Sequence, residues 1–175
     1  REPTSPYGID KLALDAYTRL YNDRYGLETV VLRYFNVYGP GQGGNDYSGV
    51  VEAFLERALC GQTLYVEGDG EQTRDFVHVD DVVRANLAAA TTDHVGEAFN
   101  VGTGRSTSIR DLAAAVESAT GLTTDVVHTD ARPSDVRRSC ADVSKFEAVL
   151  GVEPTISLEA GLADLVPNAY QAASD

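Results

Sequence analysis

The run TVVLRYF, residues 29–35, limits what this chain can fold into more than any other stretch. It is rich in β-branched residues, nearly unbroken in apolar character, and followed at once by Asn36 and the loop GPGQGG at 39–44. A strand without polar alternation reads as buried on both faces, which is the pattern of a parallel sheet covered by helices. The flanking sequence agrees. Ser5 can cap a helix and Pro6 suits its first turn. Ile9, Leu12, Ala13, Ala16 and Leu20 then recur at helical spacing, and Gly26 is a natural stop. Further on, the pattern predicts a helix over 49–60 and a strand over 63–68 running into the turn GDG. A strand over 76–79 follows, then a helix capped by Asp80 and running to Thr92, and a strand over 97–101. A helix from Ser108 to Gly121 comes next, then a strand over 124–129. Two more helices close the chain, one ending at Gly151 and one following Ser157. Strands alternate with helices, so the class is α/β.

The length of 175 residues suits one ordinary domain with a real core. The net charge of -13 argues against nucleic acid and against anionic membrane, both of which need clustered cations. No apolar run approaches membrane-spanning length, and Arg1-Glu2-Pro3 does not open a signal peptide. The expected compartment is the cytoplasm. Cys60 and Cys140 belong to no CxxC pattern and read as thiols, and no two histidines have metal-ligand spacing. Of the fourteen basic residues only Lys11 and Lys145 are lysine. An acid-rich, lysine-poor surface suits a salt-rich, halophilic cytoplasm, where charge repulsion is screened. The first residue is not methionine, so the chain reads as a fragment or a processed product.

Near the start, SPYGIDK places Tyr7 four residues before Lys11, on one helix face. An ammonium beside a phenol favours the phenolate, and such a pair can act as a general base near neutrality. Taken alone, the pattern is a weak signal and fits a helical tyrosine and a solvated lysine better. The helix is apolar on two sides, however. Leu14, Tyr21 and Tyr25 share the face of Tyr7, while Ile9, Leu12, Ala13, Ala16 and Leu20 lie opposite. One side can pack on the sheet and the other needs a further partner.

SPYGIDK, LRYFNVYGPGQ, EGDGEQTRDFVHVDDVVRA, FNVGTGRSTS and RPSDVRRSCAD occur in that order. Together they resemble the C-terminal half of an extended short-chain dehydrogenase/reductase. Within the NAD-dependent epimerase/dehydratase family they are most similar to the nucleotide-sugar epimerases, the UDP-glucose 4-epimerases above all. The resemblance covers essentially the whole chain. It implies the last part of a Rossmann-type parallel sheet interleaved with a small α/β substrate-binding domain. Residues 1–40 and 74–105 would belong to the NAD-binding domain, and 41–73 and 106–175 to the nucleotide-sugar-binding domain. It also implies NAD as cofactor, a UDP-hexose substrate and a homodimer.

Residue roles follow from the same resemblance. Tyr7 is the base that takes a proton from the sugar 4-hydroxyl, and Lys11 binds the nicotinamide ribose. Tyr34 and Phe35 lie by the nicotinamide, and Asn36 hydrogen-bonds the substrate. Tyr65, Val66 and Glu67 form a strand beside the uracil. Arg74 contacts the diphosphate, while Arg132 and Asp135 hold the ribose and phosphate region. The implied reaction passes through a 4-keto sugar that turns in the pocket before hydride returns. A 4,6-dehydratase, an epimerase or decarboxylase of UDP-glucuronate, and a non-catalytic binding or dimerising module are the other readings.

Some of these residues also have plainer explanations. Arg74 with Asp75 and Arg132 with Asp135 would make ordinary surface ion pairs. Asn36 would suit a turn before Tyr38-Gly39-Pro40. FNVGTGRST resembles a dinucleotide fingerprint, a strand followed by G-x-G and a helix. Thr107 stands at its third-glycine position, where a side chain hinders close helix-strand packing, so a tight structural turn is expected instead.

Overall fold

The computed structural model describes residue 3 and residues 5–42, 49–132 and 135–172. Gly43 and Gly44 of the predicted loop, and Pro133 and Ser134 of RPSD, lie outside the described residues. Helix α1 spans Pro6–Tyr25. Ser5 is extended and its Oγ accepts the Gly8 N–H at 3.1 Å, while Pro6 takes a first-turn position that needs no N–H. After it come β1 (Val31–Tyr34), β2 (Asn36–Tyr38), α2 (Val50–Leu59), β3 (Leu64–Glu67), β4 (Thr73–Arg74), β5 (Phe76–His78) and α3 (Val79–Ala90). The chain continues through β6 (Ala98–Val101), β7 (Thr107–Ser108), α4 (Ile109–Thr120), β8 (Val126–Thr129), α5 (Ser144–Leu150) and α6 (Leu158–Ala172). The class is α/β, as the alternation predicts. No helix among the described residues is long and apolar enough to cross a membrane.

Three strand pairs are parallel. β1 runs beside β6, with Val31 opposite Ala98 and Tyr34 opposite Val101. β2 runs beside β5, and β3 beside β8. The short pair β4–β7 is antiparallel. Between β1 and β2 the chain changes partner. Phe35 donates its N–H to Val101 at 2.9 Å, and Asn36 donates to the carbonyl of Asp75 at 2.9 Å. The break falls between Phe35 and Asn36, where the run TVVLRYF ends.

Burial is divided between two clusters. One gathers Phe54 and Leu55 of α2, Leu112 and Val116 of α4, and Leu162 of α6 around Leu64 and Val66 of β3. Fully burying side chains of this size stabilises a fold by about 1.5–3 kcal/mol each. The other cluster gathers Val77, Phe99 and Val101 of the strands with Val82 and Ala85 of α3 and Phe146 of α5. Asp81, itself buried, ties α3 to the approach of α6. It pairs with Arg84 and accepts the N–H groups of Thr155 and Ile156, both at 3.2 Å.

The structure corrects three local expectations. First, β1 is half-buried rather than covered on both faces: Val31, Leu32 and Arg33 are partly accessible and Tyr34 is exposed. Second, α1 does not lay its apolar stripe on the sheet. Asp15 is its one buried residue among those described. That side chain meets Arg33 of β1, and the Thr18 carbonyl accepts from Thr29 Oγ1 at 3.0 Å. Ile9, Leu14, Tyr17, Leu20 and Tyr21 are left exposed. An arginine in the strand chose the carboxylate face of the helix. Third, α3 is capped by His78 and not by Asp80. His78 Nδ1 accepts the Asp80 N–H at 3.3 Å. Asp80 and Asp81 fall in the first turn, where carboxylates favour the helix dipole.

Candidate functional site

Because Ser5 starts α1, Tyr7 stands in the first turn and Lys11 one turn later. Lys11 Nζ lies 5.3 Å from the centroid of the Tyr7 ring. Both line a groove of about 850 Å³ between α1 and β1, whose far wall includes Tyr34 and Phe35. The volume falls within the ~300–1,000 Å³ usual for small-molecule sites. Tyr7 is 70% exposed, so its hydroxyl is open to a ligand. Tyr34 Oη donates to Asn86 Oδ1 at 2.9 Å, which anchors that wall to α3. Four of the predicted residues, Tyr7, Lys11, Tyr34 and Phe35, thus meet in one groove. Chemically it offers a phenol able to exchange a proton and an ammonium able to hold hydroxyl or phosphate oxygen.

The other predicted residues gather beyond Asn36. Arg74 is the best-anchored cation there. Its Nη1 donates to the carbonyls of Thr73 at 2.8 Å and Val136 at 2.5 Å, and its Nη2 pairs with Asp135. Arg132 pairs with Glu67 at 2.5 Å and is largely exposed. The ion pairs expected from neighbouring sequence, Arg74 with Asp75 and Arg132 with Asp135, are therefore replaced by longer-range ones. The parallel pairing of β3 with β8 sets residues 67 and 129 side by side, which brings the following arginine to Glu67. Tyr65 is exposed and has the Arg57 guanidinium 4.9 Å from its ring centroid. Val66 points into the core and is 1% exposed, so what it offers a ligand is backbone.

Sequence reasoning passed over a further pair here. Arg137 donates to both carboxylate oxygens of Asp69, at 2.6 and 2.8 Å. This hydrogen bonding, helped by the Glu71 N–H, holds the Asp69 carboxyl well below the usual carboxylate range. The signal was in the sequence, since Asp69 belongs to the GDG turn and Arg137 follows RPSD. Nothing local says that the two segments meet.

Asp75 was also missed in its real role. Its Oδ1 accepts the Thr103 N–H at 2.8 Å and the Thr103 hydroxyl at 2.7 Å. Its Oδ2 accepts the N–H groups of Gly104 at 2.9 Å and Ala141 at 3.0 Å. This resolves the G-x-G stretch. Amides that would cradle a phosphate in a dinucleotide fingerprint here serve a carboxylate of the same chain. A Cβ on Gly102 would stand 2.8 Å from Asp75 Oδ2 and 2.6 Å from the Ala141 Cβ, while Gly104 has a φ of +69° that favours glycine. The turn is structural, as its third position suggested. An aspartate entering a wholly buried strand was the clue available in the sequence.

The chain is similar to known proteins in both sequence and fold. Residues 2–102 match the family model described as NAD dependent epimerase/dehydratase family. The chain is 40% identical over 164 residues to the UDP-glucose 4-epimerase of Mycolicibacterium smegmatis, covering 94% of this chain and 52% of that protein. The crystal structure of UDP-glucose 4-epimerase with UDP-glucose from Thermotoga maritima superimposes with a TM-score of 0.93 at 43% identity. It covers 99% of this chain and 56% of that one. UDP-glucuronic acid 4-epimerase from Bacillus cereus, in complex with UDP-glucuronic acid and NAD, gives 0.89 at 32% identity, with 98% and 54% covered. The chain spans about half the length of the relatives it matches.

Proposed function

The chain belongs to the NAD dependent epimerase/dehydratase family, and on that premise we propose that the whole protein is a nucleotide-sugar 4-epimerase acting on a UDP-hexose, UDP-glucose and UDP-galactose first. The observation that carries this reading is the groove in which Tyr7 and Lys11 face Tyr34 and Phe35. Its ammonium, phenol and aromatic wall fit the nicotinamide riboside end of NAD. Lys11 would hold the ribose hydroxyls, and Phe35 would border the nicotinamide. When bound, NAD accepts a hydride from the sugar and gives it back.

Tyr7 supplies the proton chemistry. Its oxygen takes the proton of the sugar 4-hydroxyl as C4 is oxidised and returns it when C4 is reduced from the other face. Lys11, one turn away, stands with its ammonium beside the Tyr7 ring. Asn36 hydrogen-bonds the sugar nucleotide, and Tyr65, Val66 and Glu67 border the base. Arg74, Arg132 and Asp135 hold the diphosphate and ribose, so the hexose keeps the freedom to turn. Arg132 exchanges Glu67 for the ligand. In this reading 1–40 and 74–105 carry the cofactor side, and 41–73 and 106–175 the nucleotide-sugar side. The protein works as a homodimer in a salt-rich cytoplasm.

In the full-length protein Tyr7→Phe is expected to lower kcat by about 10²–10⁴-fold while UDP-glucose still binds. Turnover near the wild-type level would remove Tyr7 as the base. The likeness to a UDP-glucuronic acid 4-epimerase keeps UDP-glucuronate as the second substrate to assay.

A further inference from the structure

Asp75 has no role in the chemistry above, yet it stands at the junction of the residues that do. Its side chain is 0% exposed. All four of its hydrogen-bond partners are donors, from the turn at 102–104 and from Ala141, which precedes α5. Among the described residues no arginine or lysine forms a salt bridge with it. Its main chain serves the site directly. The Asp75 carbonyl accepts the Asn36 N–H at 2.9 Å, and Arg74 is the preceding residue. Next to Arg74, Thr73 donates to the Arg137 carbonyl at 3.0 Å and accepts the Ser139 N–H at 3.1 Å. Segment 135–139 is thereby held beside β4.

We propose that Asp75 is the positioning residue of the nucleotide-sugar half-site. By drawing the 102–104 turn and Ala141 onto one carboxylate, it fixes the backbone that carries Asn36, Arg74 and Asp135. The proposal rests on the reading of those three as substrate ligands. Hydrogen bonds to an ionised acceptor are the strong kind, and burial makes each lost partner costly. A guanidinium grips a diphosphate well only when its anchor is held still. Among the described residues neither Tyr7 nor Lys11 is hydrogen-bonded to this network, so its loss separates the two ligands.

The test uses the full-length protein. Asp75→Asn keeps the shape but turns one acceptor into a donor that faces N–H groups. UDP affinity by calorimetry should fall by about tenfold or more. KM for UDP-glucose should rise more than kcat falls, with NAD affinity at the wild-type level. A folded Asp75→Asn protein with normal UDP affinity overturns the proposal. So does one that loses UDP and NAD alike with a lowered Tm, since that marks a merely structural role. Should Asp75→Asn fail to fold, Thr103→Val decides, because it removes only the hydroxyl hydrogen bond. The same selective loss in smaller measure is expected, and a lowered Tm with unchanged UDP affinity overturns the role. Arg74→Ala separates the two levels. Unchanged UDP affinity there overturns the substrate reading and this proposal together. Weakened UDP binding in Arg74→Ala beside normal binding in Asp75→Asn overturns the positioning role alone.

Discussion

Tyr38 shows how far a single side chain can be committed. It is buried, its hydroxyl donates to the Ser157 carbonyl at 3.3 Å, and its ring meets His78 edge-on at 5.3 Å between centroids. Burial, with the Asp81 and Glu159 charges, pushes its phenol well up from the ordinary tyrosine value, so it stays neutral. It is thus the physical opposite of the exposed Tyr7. The fit at Tyr38 depends on Gly161 of α6, where an added Cβ would stand 2.2 Å from the Tyr38 hydroxyl oxygen. Gly161→Ala gains helix propensity but forces this contact apart, and overpacking of that kind costs about 1–3 kcal/mol. Urea denaturation should show the loss. A Gly161→Ala protein as stable as the wild type would mean that α6 shifts without cost.

Among the elements, α1 is the one whose surface is least satisfied. Its sheet-facing side is polar, centred on Asp15, while Ile9, Leu14, Tyr17, Leu20 and Tyr21 are exposed. Large apolar side chains left exposed on two sides of a helix mark contact surfaces. Under the proposed homodimer, α1 packs on its counterpart in a second copy. Light scattering of the full-length protein in high salt should give twice the chain mass, and Leu20→Glu together with Tyr17→Glu should shift it to the monomer. A monomeric wild type would end the idea. The apolar run TVVLRYF contains Arg33, and one buried carboxylate on α1 was enough to turn the polar stripe inward.

For the whole molecule the controlling quantity is the net charge of -13. Dialysis from molar to millimolar salt lengthens the screening distance from about 3 Å to tens of ångströms, so repulsion among the acids grows. Tm should fall on that dialysis, and an unchanged Tm would count against a halophilic protein. Acid also destabilises, through particular groups. Asp69 is held below its ordinary value by Arg137, Glu97 by Lys145, Asp142 by Ser144, and Glu159 by its own backbone N–H at a helix start. Each group binds a proton less readily folded than unfolded. Their stabilisation is complete above the ordinary carboxylate range and is lost as pH falls through the lowered values. In high salt, where repulsion is already screened, melts should show Tm level near neutrality and falling below about pH 4. A Tm that rises with acid under those conditions would show that repulsion still dominates.

Most of the element order was legible because its signals are local. Ser5 and Ser108 cap helices through their own side chains, Gly26 and Gly121 end them, and the apolar runs at 31–34 and 98–101 are strands whatever their partners. The Tyr7–Lys11 pair was legible for the same reason, since helical spacing alone puts both on one face. Arg74 and Arg132 were legible as residues but not as pairs. Their partners Asp135 and Glu67 lie about sixty residues away in the chain, and only the packing of β3 beside β8 and of β4 beside segment 137–139 brings them close. Asp75 was the least legible of all. A carboxylate is an ion-pair partner by sequence, and it becomes the internal ligand of a glycine turn only when the ends of β6 and β4 and the approach to α5 converge. The sequence by itself determined which groups this protein has and which helix or strand each one rides on, because caps, spacing and hydrophobic runs act within a few residues. Tertiary structure alone decided which charges meet and which faces stay open, because those depend on burial and on distances that no short stretch of chain encodes.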